Sequence, residues 1–499
     1  MLEVSVNIIL GLYALAILFV LIHSLFDAHL IYHYLHSFRK KPQIFYPEDF
    51  IPFVTIQLPV YNELYVVERL IDAVAAIEYP ADKIEIQVLD DSTDETTDLI
   101  AKKVESLQHK GVKIYHIRRN NRDGFKAGAL KHGFSVAKGG FFAVFDADFL
   151  PSKDFLRKTL PYFSDPAIGM VQTKWGHINK HTSLLANLQA IALDGHFSIE
   201  QQGRNAAGYF INFNGTAGVW RKETILDAGN WQADTLTEDF DLSYRAQMKG
   251  WKFQYLENVI TFAELPPAVS ALKSQQFRWT KGGAETARKH FKTMLLSKLP
   301  LPVKWHGVFH LIYSFGFISI LTCTILTVPI SFVKEYYPQY GLFFKVSSIL
   351  VLSFSIYIIH YFISYVNNTS GSFLKKLFGF IIYFPLFVCL FIGLSLSNAY
   401  GIIQGCFGIK SSFIRTPKFN ATSTGNKKIR NKYLQTKLNW LTVTEGLLIF
   451  YFLFGLIQSV YFKNYSMVPL LLMAFIGFSM VFGWSLTERR KKTSHQQTA

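Results

Sequence analysis

Two apolar blocks enclosing a long charged middle constrain this chain more than any other feature. Residues 6–26 form one apolar stretch, and after Pro300 five more follow, at about 307–332, 342–365, 377–398, 441–462 and 467–485. Each comes close to the ~20 residues that a hydrocarbon layer ~30 Å thick demands of a helix. Half of the 499 residues are hydrophobic, 46 are Phe and only 17% are charged, which is too apolar for one soluble domain and excludes disorder, collagen and coiled coil as descriptions of the whole chain.

The charge distribution orients these segments. A nucleic-acid binder would gather the net +16 on one folded face, whereas here much of it flanks the apolar stretches, so no nucleic-acid partner is expected. The first stretch follows Glu3 with no basic residue before it and leads into Arg39, Lys40 and Lys41. A signal peptide carries its charge first, so residues 1–35 are read as a retained membrane helix with the N-terminus outside and the following domain cytoplasmic. The segment 410–437, rich in Lys and Arg, and a basic tail over 488–499 should both be cytoplasmic, as should Lys375 and Lys376. A crossing at 377–398 would put 410–437 outside. Residues 377–400 are therefore expected to lie in the interface or re-enter, leaving five spans in an otherwise all-α multi-pass region over 301–487. Cys323, Cys389 and Cys406 have neither disulfide nor zinc spacing.

Residues 50–300 read as an α/β domain. The β-branched runs 53–58 and 84–89 flank a helix expected over 63–77, a βαβ unit that implies a parallel sheet, with further strands at 113–117, 141–145 and 169–173. Ligands of such sheets sit at the carboxyl ends of the strands. Acidic motifs fall at those ends. Asp90 and Asp91 close one strand, where adjacent carboxylates need a compensating cation, a hydroxyl-rich ligand or hydrogen bonds; Asp94 alone is explained as a helix cap. Asp146 and Asp148 follow another, and alternation puts both on one side, where they can share a hard divalent cation that also bridges diphosphate oxygens. Thr237-Glu238-Asp239 offers a carboxylate to deprotonate an acceptor hydroxyl, or a helix start capped by Thr237, and the two are compatible. Gln275, Arg278 and Trp279 are spaced to share a helix face, with Arg suited to phosphate oxygens and Trp to a sugar ring. The stretch 184–199 reads as an interfacial or core helix, His196 as structural, and Trp175, Trp220, Trp231 and Trp251 as core or as an acceptor path.

Taken in order, Asp90/Asp91, Asp146-x-Asp148, Thr237-Glu238-Asp239 and Gln275-x-x-Arg278-Trp279 resemble the D, DxD, TED, QxxRW pattern of processive family 2 glycosyltransferases, which include cellulose, hyaluronan and mannan synthases. Leu58-Pro59-Val60-Tyr61-Asn62-Glu63, Lys126-Ala127-Gly128 and Phe213-Asn214-Gly215-Thr216-Ala217-Gly218 resemble most the cellulose-synthase-like mannan synthases of plants and their bacterial relatives. The resemblance implies a Rossmann-like GT-A domain that uses a nucleoside diphosphate sugar, GDP-mannose or UDP-glucose. It implies Tyr61, Glu63, Asp90, Asp91, Lys126 and Asp146 around the donor, and Mg2+ or Mn2+ on Asp146 and Asp148. Asp239, beside Glu238, would be the catalytic base; Gln275, Arg278 and Trp279 would hold diphosphate and acceptor. Phe413, Thr416 and Lys418 fall where the family has a gating loop over the nucleotide, although Arg415 stands where Val is usual. The implied product is a β-linked polysaccharide grown and exported across the plasma (inner) membrane. Addition of one sugar to a membrane lipid, as by ceramide glucosyltransferases, is the alternative. Export subunits are not legible in the sequence.

Overall fold

The computed structural model describes residues 2–37, 50–411, 415–421, 431–434 and 439–496. An eight-stranded mixed sheet organises the α/β domain. Its strands are β1 (Val54–Val60), β2 (Ile84–Asp90), β3 (Ile114–Arg118), β4 (Phe141–Val144), β5 (Phe149–Leu150), β6 (Ile168–His177), β7 (Gly218–Arg221) and β8 (Lys252–Ala263), in the spatial order β3-β2-β1-β4-β7-β6-β8-β5. The first four are mutually parallel, with Val54 of β1 opposite Ile84 on one side and Phe141 on the other. Helices on both faces bury β1 and β2 almost completely, which is why they read as continuous apolar runs rather than alternating ones. Because β1, β2 and β4 point the same way, their carboxyl ends share one edge, and that edge carries the site.

Two elements differ from expectation. The helix expected over 63–77 covers only Val67–Ala75, because Asn62 turns the chain at a positive φ of 54° and Tyr61 and Glu63 are drawn into the site cavity. The strand expected at 169–173 extends to Ile168–His177, pairing with β8 through two register shifts. Trp220 and Trp231 are fully buried in the sheet's second core layer, and Trp251 donates to Asp227 at 3.0 Å; none of the three lines a path.

Below the sheet, helix Leu184–Gly195 inserts Leu185, Leu188 and Ile191 among Phe380, Phe384 and Leu390, so it is a packed layer between the α/β domain and the apolar helices. Among the described residues six helices are long and apolar enough to cross a membrane: Glu3–Ser37, Tyr313–Tyr336, Pro338–Asn367, Phe373–Cys406, Trp440–Tyr461 and Tyr465–Arg489. The chain is a multi-pass membrane protein. The last helix continues through Gln496, so the segment expected as a separate tail from 488 starts as helix. Helix Phe373–Cys406 runs along helix Val269–Leu295, with Gly401 against Phe277 and Thr280 and Gly405 against Lys281. The chain touches the α/β domain at both ends of this helix: Asn368 Nδ2 donates to Ser198 Oγ at 2.9 Å before it, and Arg415 lies 2.7 Å from Glu63 after it.

Candidate active site

Three turns at strand ends and two helices converge on one solvent-open cavity. Tyr61 and Glu63 follow β1, Asp91 follows β2, and Asp146 and Asp148 follow β4. Asp146 is held by the backbone: its N–H donates to Thr216 Oγ1 at 2.9 Å, and its carbonyl accepts from Phe149 N–H at 3.0 Å. Glu238 and Asp239 open helix Glu238–Met248, whose N-terminus favours acids. Thr237, expected to cap that helix, makes no side-chain cap bond; its hydroxyl faces Thr286 at 3.2 Å, because the following helix comes close there. That closeness depends on Gly282, where a Cβ would meet Thr237 atoms at 2.6 Å. It brings Gln275, Arg278 and Trp279 to the wall of the cavity that Asp239 also lines.

Helix Val269–Leu295 is itself tied to the apolar helices. Glu488 accepts from the N–H groups of Val269 and Ser270, Lys273 pairs with buried Glu445 at 2.7 Å, and Lys281 donates to Ile409 O at 2.6 Å. Trp279 is therefore carried on an element fixed at three points to the membrane part. It faces Trp175, with ring centroids 6.5 Å apart.

The electrostatics are those of crowded acid. Lys126 Nζ lies 2.6 Å from Asp146 Oδ1 and 4.0 Å from Glu238 Oε1, and donates to Gly215 O at 2.8 Å. Burial pulls this ammonium down, but Asp146, Glu238 and Asp239 outweigh it and hold its pKa above the usual lysine value. Gly215 sits at φ +80°, and a Cβ there would come within 2.8 Å of Asp239 Oδ2, so the close approach of this turn to the acid requires glycine. Burial and then the charge of Glu238 push Asp239 up to about 7. Glu238 is raised too, chiefly by burial. Glu63 is pushed up to about 7 by burial, against the pull of Arg415 and Lys418.

All of the site residues named from sequence line this cavity except two. Asp90 is buried on the far side of its strand end, accepting from His116 at 2.9 Å and from Ser92 N–H at 2.8 Å. Alternation turned Asp91 to the cavity and Asp90 to the core, so Asp90 supports the strand end and does not face a donor. Phe413 lies outside the described residues. Thr416 and Lys418 do reach the cavity, with Lys418 Nζ 2.7 Å from Asp148 Oδ1. Four contributors were not foreseen. Arg119 grips Asp91 bidentately at 2.7 and 2.6 Å, Arg122 covers the Tyr61 ring at 3.3 Å, Glu264 accepts from Phe419 N–H at 2.7 Å, and Asn214 lines the wall beside Asp239. Only Asn214 lay in a motif; the others come from segments without any.

The donor set suits a hard divalent ion. Asp146 and Asp148 line the cavity with hard oxygen donors, and Lys126 and Lys418 now pair with them, so a bound cation would share or displace these ammonium groups. Among the described residues no group of three or more His, Cys, Asp or Glu could hold a metal by itself, so the remaining ligands would have to be water or ligand oxygens.

The family profile "Glycosyltransferase like family 2" matches residues 52–282. Among curated relatives, glucomannan 4-beta-mannosyltransferase 7 of Arabidopsis thaliana is 33% identical over 90% of this chain and 82% of its own. Probable glucomannan 4-beta-mannosyltransferase 4 of Oryza sativa subsp. japonica is 42% identical over 55% of this chain and 51% of its own. Among solved structures, a mannosyltransferase of Pyrobaculum calidifontis in complex with GDP-mannose and Mn2+ superposes with a TM-score of 0.52 at 21% identity, covering 72% of this chain and 98% of that one, and shares the fold. The fold, the order of the acidic motifs and the full-length similarity lead to one assignment: the chain belongs to the family 2 glycosyltransferases, in their cellulose-synthase-like branch.

Proposed function

We propose that this enzyme polymerises a β-linked mannan-type glycan from a nucleoside diphosphate sugar, with GDP-mannose as the preferred donor, and passes the product across the plasma (inner) membrane as it grows. The observation that carries the reading is convergence: Asp91, Asp146, Asp148, Asp239 and Trp279, spread over nearly two hundred positions, line one cavity. The donor preference rests on relatives named glucomannan 4-beta-mannosyltransferases.

Tyr61 with Arg122, and Asp91 with Arg119, form the end of the cavity suited to the nucleoside. Asp146 and Asp148 would hold Mg2+ or Mn2+, which when bound neutralises the leaving diphosphate. Arg278 adds a guanidinium for diphosphate oxygens. Trp279 stacks under the terminal acceptor sugar, and Asp239, with a pKa near 7, takes the proton of the attacking hydroxyl. One in-line displacement inverts the anomeric carbon, and Glu238 keeps the base from ionising too readily.

Five helices cross the bilayer in this reading. Helix Phe373–Cys406 lies along the interface instead of crossing, a reading supported by Asn368 before it and Arg415 and Lys418 after it, which all contact the α/β domain. That domain then lies in the cytoplasm with the donor. The test offers single radiolabelled sugar nucleotides to membranes holding the protein, with and without EDTA. Chelator-sensitive label in long chains cut by a β-mannanase is the expected result. Label confined to lipid would support transfer to a lipid acceptor instead, and no incorporation from any donor contradicts both.

A further inference from the structure

Helix Leu184–Gly195 does not stop cleanly; it widens into a π-helical turn over His196–Gln201. In an α-helix, residues five apart point roughly 140° away from each other. The wider turn brings them to one side, as such insertions often do at functional sites. Here that side faces Asn214. Gln201 Nε2 donates to Asn214 Oδ1 at 2.8 Å, and Asn214 Nδ2 lies 3.2 Å from His196 Nε2. His196 Nδ1 in turn lies 3.1 Å from Glu200 Oε2.

The direction of every proton in this chain follows from one backbone atom. Gln201 Nε2 also donates to the carbonyl of Asn212 at 2.8 Å, and a carbonyl only accepts, so the Gln201 amide cannot be reversed. Gln201 therefore fixes the Asn214 oxygen toward itself and the Asn214 amino group toward His196. The His196 ring must accept at Nε2 and carry its proton on Nδ1, which Glu200 receives. Glu200 is buried and further held by Arg204 at 3.4 Å and by Tyr313 OH at 2.6 Å. One donor and one acceptor of the Asn214 amide are engaged, which leaves one N–H and one lone pair on a side chain that lines the cavity. That pairing matches a sugar hydroxyl, which both gives and receives. The neighbouring Gly215 approaches Asp239, and Phe213 N–H donates to Ser243 Oγ, which donates to Asp239 O, so hydrogen bonds tie this turn to the residue proposed as base.

We propose that Asn214 binds a hydroxyl of the terminal acceptor sugar and that His196 is a positioning residue, oriented by Glu200, that fixes the Asn214 amide for that contact. The inference rests on the glycan-synthase reading above, because it assigns the acceptor side of the same cavity.

The test uses the full-length protein in membranes, with labelled GDP-mannose and a short manno-oligosaccharide, and follows transfer to the sugar separately from hydrolysis of the donor by water. His196→Ala is expected to lower transfer about 10- to 100-fold, the scale of a misplaced reacting group, while the donor KM for hydrolysis stays within about twofold. His196→Gln, whose amide oxygen can still accept from Asn214 while its amino group donates, is expected to recover transfer to within about threefold of wild type. In an Asn214→Ala background, His196→Ala should cost less than about twofold more, because its effect passes through Asn214. Equal loss of transfer and hydrolysis, or a full further loss in the Asn214→Ala background, would overturn the proposal. Should His196→Ala fail to accumulate, His196→Gln decides: transfer as low as in Asn214→Ala refutes the positioning role. Wild-type protein that hydrolyses donor but elongates no glycan would sink the underlying reading, whereas normal wild-type elongation with these variant failures sinks only this inference.

Discussion

Asp239 and Asp241 stand two residues apart on the first turn of one helix and live in opposite surroundings. Asp239 faces the cavity beside Glu238, and burial and that neighbour push its pKa to about 7. Asp241 points into the domain, fully buried. His290 lies 2.7 Å away, Arg245 and Lys289 each 2.8 Å, and these partners overcome burial and bring it down to about 2. One carboxylate is left short of compensation and the other is compensated three times. The contrast separates a group kept reactive from a group that anchors: the poorly satisfied acid is the one to which the proposed mechanism gives the proton transfer.

The contrast can be broken by mutation. Asp239→Asn is expected to lower elongation about 10³-fold, as loss of a general base does, with donor affinity unchanged and no loss of folding stability; labelled-donor kinetics and thermal unfolding in detergent read both. Asp241→Asn is expected to do the reverse, costing about 3 kcal/mol of stability by leaving cations unpaired in the core, with activity falling only as folded protein is lost. If Asp241→Asn abolished turnover in protein of normal stability, the division of labour between the two acids would be wrong.

Acidity separates the two acids next. A base of pKa near 7 must be unprotonated, so kcat/KM is expected to fall about tenfold per pH unit below that value. Asp241 works at the other end. Its folded pKa lies below its ordinary value of 3.8, so the unfolded chain binds the proton more readily; its stabilisation is complete above about pH 4 and is lost as the pH falls toward 2. A window between pH 5 and 6 should therefore show a folded enzyme with little activity, measurable by unfolding and turnover on the same sample. The smallest effect is expected from Lys289→Ala, which removes one partly exposed partner of Asp241 and should cost about 1 kcal/mol or less.

The residues read correctly from sequence as cavity-lining were those whose chemistry dictates their type. In the proposed mechanism a metal on the diphosphate calls for carboxylates, and Asp146 and Asp148 stand out as such a pair at a strand end. Asp90 was misplaced because a pair of acids does not say which one alternation turns inward. Arg119 and Arg122 were invisible, since ordinary arginines on a connecting segment become site residues only when the fold closes around Asp91 and Tyr61. The π-helical turn was hidden for a related reason: an apolar pattern of period 3.6 does not show a local widening, and His196 read as an isolated structural histidine. Charge parity pointed to residues 377–400 as the odd segment, yet only the packed helices reveal its course along the Trp279 helix.

The most direct test of the central claim is the anomeric configuration of a bond made by this enzyme from an α-linked sugar nucleotide. A single displacement with Asp239 as base yields a β-linkage, read by NMR or by cleavage with a β-specific hydrolase. An α-linked product would mean retention at the anomeric carbon, which one in-line displacement cannot give, and would contradict the account.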